Sequence, residues 1–250
     1  MTWRNYLGRH ALADFVALEH ETARILVRRG YEDAAERIAG GEPRDPEETV
    51  AGGRAAHPVL VLPTGEKAVV RRYRRGGLVR HVNAARYFAG TRAFDELRAT
   101  ERARVGGVRT ARVLAAIEHP RVFGYTAVLA TLLVPGAVDA AAWLAESSEG
   151  RRGEMLREAG RQLAAMHAAG VAHPDVNLRN LLVAEGNGRL EVSVLDFDRA
   201  RVHDGPVPPP RRAVELRRLA RSARKLRAPV GEAEWRALRE GYGAGWPEGG

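Results

Sequence analysis

Three oxygen-bearing side chains cluster in the second half of the chain, in the stretch HPDVNLRNLLVAEGNGRLEVSVLDFD, residues 173–198. Asp175 is followed five residues on by Asn180, and Asp196 ends the apolar run VSVL. Phosphoryl transfer to an alcohol needs a carboxylate that orients the hydroxyl and accepts its proton. It also needs hard oxygen ligands that hold a divalent cation beside a nucleotide. Asp175 is the candidate base, and Asn180 and Asp196 are the candidate cation ligands. Taken singly, Asp175 and Asn180 also read as turn caps and Asp196 as a strand terminus. The set D-x-N-x-x-N, followed by an apolar strand ending in D-F-D, carries the functional reading.

The elements around this stretch must deliver these groups. The strand pattern of residues 191–195 brings Asp196 to its place. A second charged pair lies upstream. Arg71 ends the strand-like AVVR, where a cation can reach nucleotide phosphates, and Glu96 lies 25 residues on in a helical segment. The neighbours Arg72, Arg74 and Arg75 could serve instead, and a plain surface arginine is the competing reading. Gly52 and Gly53 precede a hairpin pattern, where a glycine loop lets backbone approach phosphates or simply turns the chain.

Read in order, residues 1–40 look helical, with Asp14 as a cap and Phe15, Leu18, Ile25 and Leu26 as the apolar face. Residues 40–53 form a Gly/Pro/acidic break. Residues 59–62 and 68–70 flank Pro63-Thr64-Gly65-Glu66, a hairpin signal. A helix follows from Arg92 to about Arg104, stopped by Gly106-Gly107. Two strand-like stretches separated by His119-Pro120 come next, and Val134-Pro135-Gly136 breaks the second. Helices then read over 137–147, 154–169, 212–227 and 232–243. The order is β-rich with one main helix, a short hinge, then α-rich, which fits an α+β fold of two lobes with a cleft at the hinge.

Composition narrows the function classes. The 250 residues contain no cysteine, which excludes disulfides and thiolate metal sites. No apolar run approaches the roughly 20 residues that span a bilayer, and the N-terminus lacks a signal-peptide core; a cytoplasmic protein is expected. Net charge is +9, almost all of it arginine. Such a balance suits nucleic acid, an anionic membrane surface or a phosphorylated substrate. Few aromatics interleave with the basic stretches and no nucleic-acid motif is present, so no nucleic-acid partner is expected.

The motifs resemble a family. HPDVNLRN looks like a variant of the H-R-D-x-x-x-x-N loop of protein-kinase-like folds, and Asp196-Phe197-Asp198 looks like the D-F-G motif. More narrowly, VVRRYRRGGLVRHV, RAFDELRATERAR, HPDVNLRNLLV, VLDFDRAR and the tail ELRRLARSARKLR resemble the bacterial lipopolysaccharide kinases that phosphorylate Kdo or heptose of the inner core. The resemblance covers about residues 50–243. It implies a kinase N-lobe (46–134) and C-lobe (135–250), and the apolar pattern makes residues 1–45 a helical N-terminal extension before them. It implies ATP and magnesium, with Asp175 as base, Asn180 and Asp196 as magnesium ligands, and Arg71 with Glu96 on the phosphates. Gly52 and Gly53 would lie over the nucleotide, and Thr131, Leu132 and Val134 would meet adenine through backbone. Asn177, Asp198 and Arg75 are candidates for the acceptor. The partner implied is a lipopolysaccharide precursor, a lipid-linked Kdo or heptose, met at an anionic membrane surface on the cytoplasmic face of the inner membrane. Two other readings stand beside it. One is a kinase of antibiotics or free sugars. The other is a nucleotide-binding pseudokinase, motivated by arginine in the place of the usual strand lysine.

Overall fold

The computed structural model describes residues 12–44, 46, 48–52, 55–73, 92–121, 124–186 and 188–248. They fall into two units, residues 1–98 with 112–133 and residues 99–111 with 134–250.

The first unit is an antiparallel sheet with a helix on each face. Its strands are β1 (Phe15–His20), β2 (Ala23–Arg28), β3 (Thr49–Gly52), β4 (Ala55–Val61), β5 (Lys67–Tyr73), β6 (Val113–Arg121) and β7 (Gly124–Leu132), in the order β1-β2-β6-β7-β5-β4-β3. Helix α1 (Glu32–Ala39) packs Ala34, Ala35 and Ile38 against Ile25, Val27, Leu60, Val70 and Ile117. On the other face Phe94 and Leu97 of α2 (Arg92–Val105) join Phe15, Leu26, Ala116 and Leu129. From Ala99 onward, residues of α2 belong to the second unit.

This corrects the helical reading of the N-terminal region. Residues 15–28 are a β-hairpin, and β2 pairs with β6 from Arg24↔Glu118 to Val27↔Ala115. The misleading signal has a physical cause. With a helix on each face, β2 buries consecutive residues, Ile25, Leu26 and Val27, so its period-2 alternation is lost. No helix starts at Asp14; its carboxylate pairs with Arg28 at 2.9 Å. Helix survives only at α1, and residues 1–11 lie outside the described residues. His119-Pro120 does not break its strand either. β6 continues to Arg121, and Pro120 pairs with Tyr125 beyond the last residue that β2 engages. Its missing N–H is tolerated there because only one neighbour strand remains.

The second unit is mainly helical. It comprises β8 (Val138–Asp139), α3 (Ala140–Glu146), α4 (Glu149–Ala168), β9 (Val171–Ala172), β10 (Leu181–Gly186), β11 (Arg189–Val194), β12 (Arg201–Val202), α5 (Pro209–Lys225) and α6 (Glu232–Tyr242). α3 starts later than expected because Asp139 caps it, accepting from the N–H of Ala141 (3.0 Å) and Ala142 (3.1 Å). α4 is the axis, with Met155, Leu156, Ala159, Leu163 and Met166 buried. It meets α6 at a crossing that only glycine permits. A Cβ on Gly160 would lie 2.2 Å from Leu238 O, and one on Gly241 would lie 1.9 Å from Arg157 O. β10 pairs antiparallel with β11 and β8, and β9 pairs with β12.

Candidate active site

The loop between β9 and β10, residues 173–180, is pinned from three sides. His173 is fully buried. Its backbone N–H donates to Glu215 Oε2 on α5 at 2.9 Å. Its Nδ1 accepts from the Asp175 N–H at 3.2 Å, and its Nε2 lies 2.9 Å from Leu195 O. An N–H can only donate and a carbonyl can only accept, so the imidazole is the neutral Nε2–H tautomer. One ring therefore ties the backbone of the loop to the backbone just before Asp196. Its face rests on Phe197 at 5.2 Å between centroids.

Asn180 makes the second tie. Its carbonyl accepts from Leu195 N–H at 2.8 Å. Its side-chain Nδ2 donates to Asp175 O at 3.0 Å, so the amide oxygen must lie on the other side of the carboxamide. The chain thus joins Asn180 directly to the residue before Asp196. Asp196 itself has φ +61°, in the left-handed region that aspartate tolerates better than most residues, at a cost of roughly 1–2 kcal/mol. A carboxamide oxygen and a carboxylate are the hard donors that suit magnesium. Among the described residues no three His, Asp or Glu side chains converge on a metal position. The residues present fit an ion bound by two protein oxygens, with a substrate's phosphates supplying further oxygens.

Asn177 spends both ends of its amide inside the loop. Nδ2 donates to Asp175 O at 2.8 Å, and Oδ1 accepts from Arg179 N–H at 2.9 Å. It shapes the single turn Leu178–Asn180. Asp198 lies in the turn closed by Ala200 N–H to Phe197 O at 2.9 Å.

Behind the loop lies a buried network absent from the sequence reading. His167 on α4 contacts Glu215 Oε2 through Nε2 at 3.1 Å and the Tyr242 hydroxyl through Nδ1 at 2.6 Å. Burial first, then the opposing charge of Arg212 and the reinforcing charge of Glu215, leave the Tyr242 hydroxyl pushed up to about 12. Tyr242 therefore stays protonated and donates to Nδ1, which leaves Nε2–H to donate to Glu215. The only available signal was chemical: a histidine, a glutamate and a tyrosine, each within an otherwise apolar helical face.

In the first unit the expected charge pair forms. Arg71 on β5 is ion-paired with Glu96 on α2, and Glu96 is 3% exposed. Tyr73 joins them, accepting from Arg71 Nη2 at 3.0 Å and donating to Glu96. Arg71 and Arg92 also lie 4.9 and 4.8 Å from the Tyr73 ring centre. Arg72 turns elsewhere, to the carbonyls of Gly41 (2.8 Å) and Glu42 (2.9 Å). The strand lysine, Lys67, pairs with Glu48. Thr131 and Leu132 end β7, Leu132 N–H donating to Arg112 O at 2.8 Å, and Val134 O accepts from Ala137 N–H at 3.4 Å. Gly52 ends β3 opposite Ala55. Gly53, Arg74 and Arg75 lie outside the described residues.

A sheet unit with an Arg–Glu pair and a helical unit with a pinned Asp/Asn loop define a protein-kinase-like phosphotransferase. The solved structure of WaaP in complex with acyl carrier protein has this fold: similarity extends over 88% of each chain with a TM-score of 0.63 at 17% identity. The chain belongs to the lipopolysaccharide kinase (Kdo/WaaP) family, whose model matches residues 53–242. It is similar to the 3-deoxy-D-manno-octulosonic acid kinase of Actinobacillus succinogenes, 33% identical over 71% of this chain and 76% of that one. The enzyme of the same name from Xanthomonas oryzae pv. oryzae is 32% identical over 79% of each. The chain is a phosphotransferase of the lipopolysaccharide core.

Proposed function

We propose that this kinase transfers the γ-phosphoryl group of ATP to a hydroxyl of the Kdo residue of a lipid-linked lipopolysaccharide precursor. The observation that carries this reading is the double tie of Asp175 and Asp196 to one rigid loop, through the His173 ring and Asn180. In it, Asp175 accepts the hydroxyl proton as the acceptor oxygen bonds to phosphorus and the bond to the β-phosphate oxygen breaks, releasing ADP. Arg71, held by Glu96, pairs with nucleotide phosphates. Asn180 and Asp196 would hold magnesium, which would supply neutralisation of the phosphate charge. The backbone of Thr131, Leu132 and Val134 would meet adenine.

The acceptor's lipid anchor places the reaction at the cytoplasmic face of the inner membrane, with the enzyme bound peripherally. Net charge +9 supports attraction to anionic lipid, each near-surface cation contributing on the order of 1 kcal/mol. No helix among the described residues is long and apolar enough to cross a membrane. The test offers ATP and magnesium with Kdo-bearing lipid A precursor or heptosylated core, in separate reactions read by mass spectrometry. Gain of one phosphoryl group on the Kdo acceptor is expected; gain on the heptosylated acceptor alone would move the assignment to heptose.

A further inference from the structure

Three residues of α5 touch the loop in register. Glu215 receives the His173 N–H at 2.9 Å. Arg218 Nη1 donates to Asp175 Oδ1 at 3.0 Å. Ser222 Oγ accepts from Leu178 N–H at 3.3 Å. The spacing i, i+3, i+7 places all three on one stripe of the helix, and the stripe follows the loop from His173 to Leu178. Two of these contacts hold backbone amides. Only Arg218 reaches the side chain of the candidate base.

Holding the loop does not require this contact, because Glu215 and Ser222 already pin its backbone. It makes sense if the arginine has a second client. Its side chain is 47% exposed, and that of Asp175 is 58% exposed. Five N–H groups leave a guanidinium, one of whose nitrogens is spent on Oδ1, with donors directed elsewhere. The surroundings add positive charge. Arg221 and Lys225 follow on the exposed side of α5 at i+3 and i+7, and Arg179 stands in the loop. None of these three has an ion-pair partner among the described residues.

We propose that Arg218 is the acceptor-binding residue: its guanidinium holds Asp175 Oδ1 and binds the carboxylate of an acidic sugar, presenting that sugar's hydroxyl to Asp175 Oδ2. This rests on the reading of the acceptor as an octulosonic acid. A bridging arginine fixes both partners at once, because its planar fork recognises carboxylates with defined geometry. A neutral sugar would leave those donors unmatched, so the same contact selects against it.

The experiment compares wild type, R218K and R218A on two acceptors, the Kdo-bearing precursor and its carboxylate methyl ester, with ATP in excess. Wild type is expected to prefer the acid by about ten- to a hundredfold in kcat/KM, the range of one charge-assisted contact. R218A should abolish that preference by raising KM for the acid, and R218K should restore part of it. The KM for ATP should not move. If R218A slows acid and ester equally and the preference persists, Arg218 only positions Asp175 and the proposal is overturned. If the preference persists while binding to phosphatidylglycerol vesicles falls, the stripe serves lipid and the proposal is likewise overturned. Transfer by wild type to neither acceptor would overturn the octulosonic-acid reading itself, an outcome distinct from either of these.

Discussion

The Arg71–Glu96–Tyr73 cluster and the loop around Asp175 solve the same problem by opposite means. In the first unit Arg71 is held by side-chain charge: a strand arginine, a helix glutamate almost wholly buried and a tyrosine between them. In the second unit the Asp175 carboxylate is about half exposed, and its loop is held through backbone N–H and carbonyl groups pinned by His173, Asn180 and Glu215. In the cluster, the proposed phosphate-binding group is also part of a buried ion pair. In the loop the proposed base and the supporting contacts are separate. Substitution should therefore damage the two regions differently.

The largest effect should come from Asp175→Asn. Loss of the general base should lower kcat roughly 10²–10⁴-fold. Stability in urea should shift by no more than about 0.5 kcal/mol, as for an exposed residue. A large loss of stability would show that the loop depends on the carboxylate and would erase the contrast. Next is Glu96→Ala, which leaves the Arg71 guanidinium without its buried partner. It should destabilise by about 3–5 kcal/mol and raise KM for ATP. Unchanged stability would mean that the cluster is as modular as the loop.

Glu215→Ala probes the support of the loop without touching reacting groups. Two buried donors, the His173 N–H and His167 Nε2–H, lose their acceptor, at a cost of about 1–3 kcal/mol. The kcat should fall, because Asp175 and Asn180 lie on the loop that Glu215 supports. A further prediction concerns pH. Burial pushes the Glu118 carboxyl up from 4.5 to about 8, the charge of Arg24 opposing and that of Asp95 adding. Between those values the folded chain keeps a proton that the unfolded chain releases, so stability falls as pH rises from about 4.5 to 8. The slope is at most about 1.4 kcal/mol per pH unit. Glu118→Gln should flatten it, as read from urea midpoints at pH 6, 7 and 8.

The same contrast explains what was legible in the sequence. Asp175, Asn180 and Asp196 stood out because of their residue types at short spacing, and the structure joins Asp175 to Asn180 and Asn180 to the residue before Asp196. The Arg71–Glu96 pair was visible because one charge on a strand needs another on the neighbouring helix. The supports were not. Glu215 and Tyr242 lie 48 and 75 residues from His167, and in a pattern they read as ordinary members of helices α5 and α6. The N-terminal strands were hidden by their own burial, since Ile25, Leu26 and Val27 are all apolar and cannot advertise a period. Arg218 was one arginine among many until its distance to Asp175 singled it out.

The His173–Glu215 and His167–Tyr242 contacts also set a schedule for synthesis. The loop is complete when Asn180 leaves the ribosome, yet the last partner of its supporting histidine is made 75 residues after that histidine. At about 5–20 residues per second, that is roughly 4–15 s before the His167–Tyr242 contact can form. The nascent chain must carry the candidate loop on an unfinished scaffold. The last helical turn, with Gly241 seated on α4 and Tyr242 reaching His167, completes the support behind the loop.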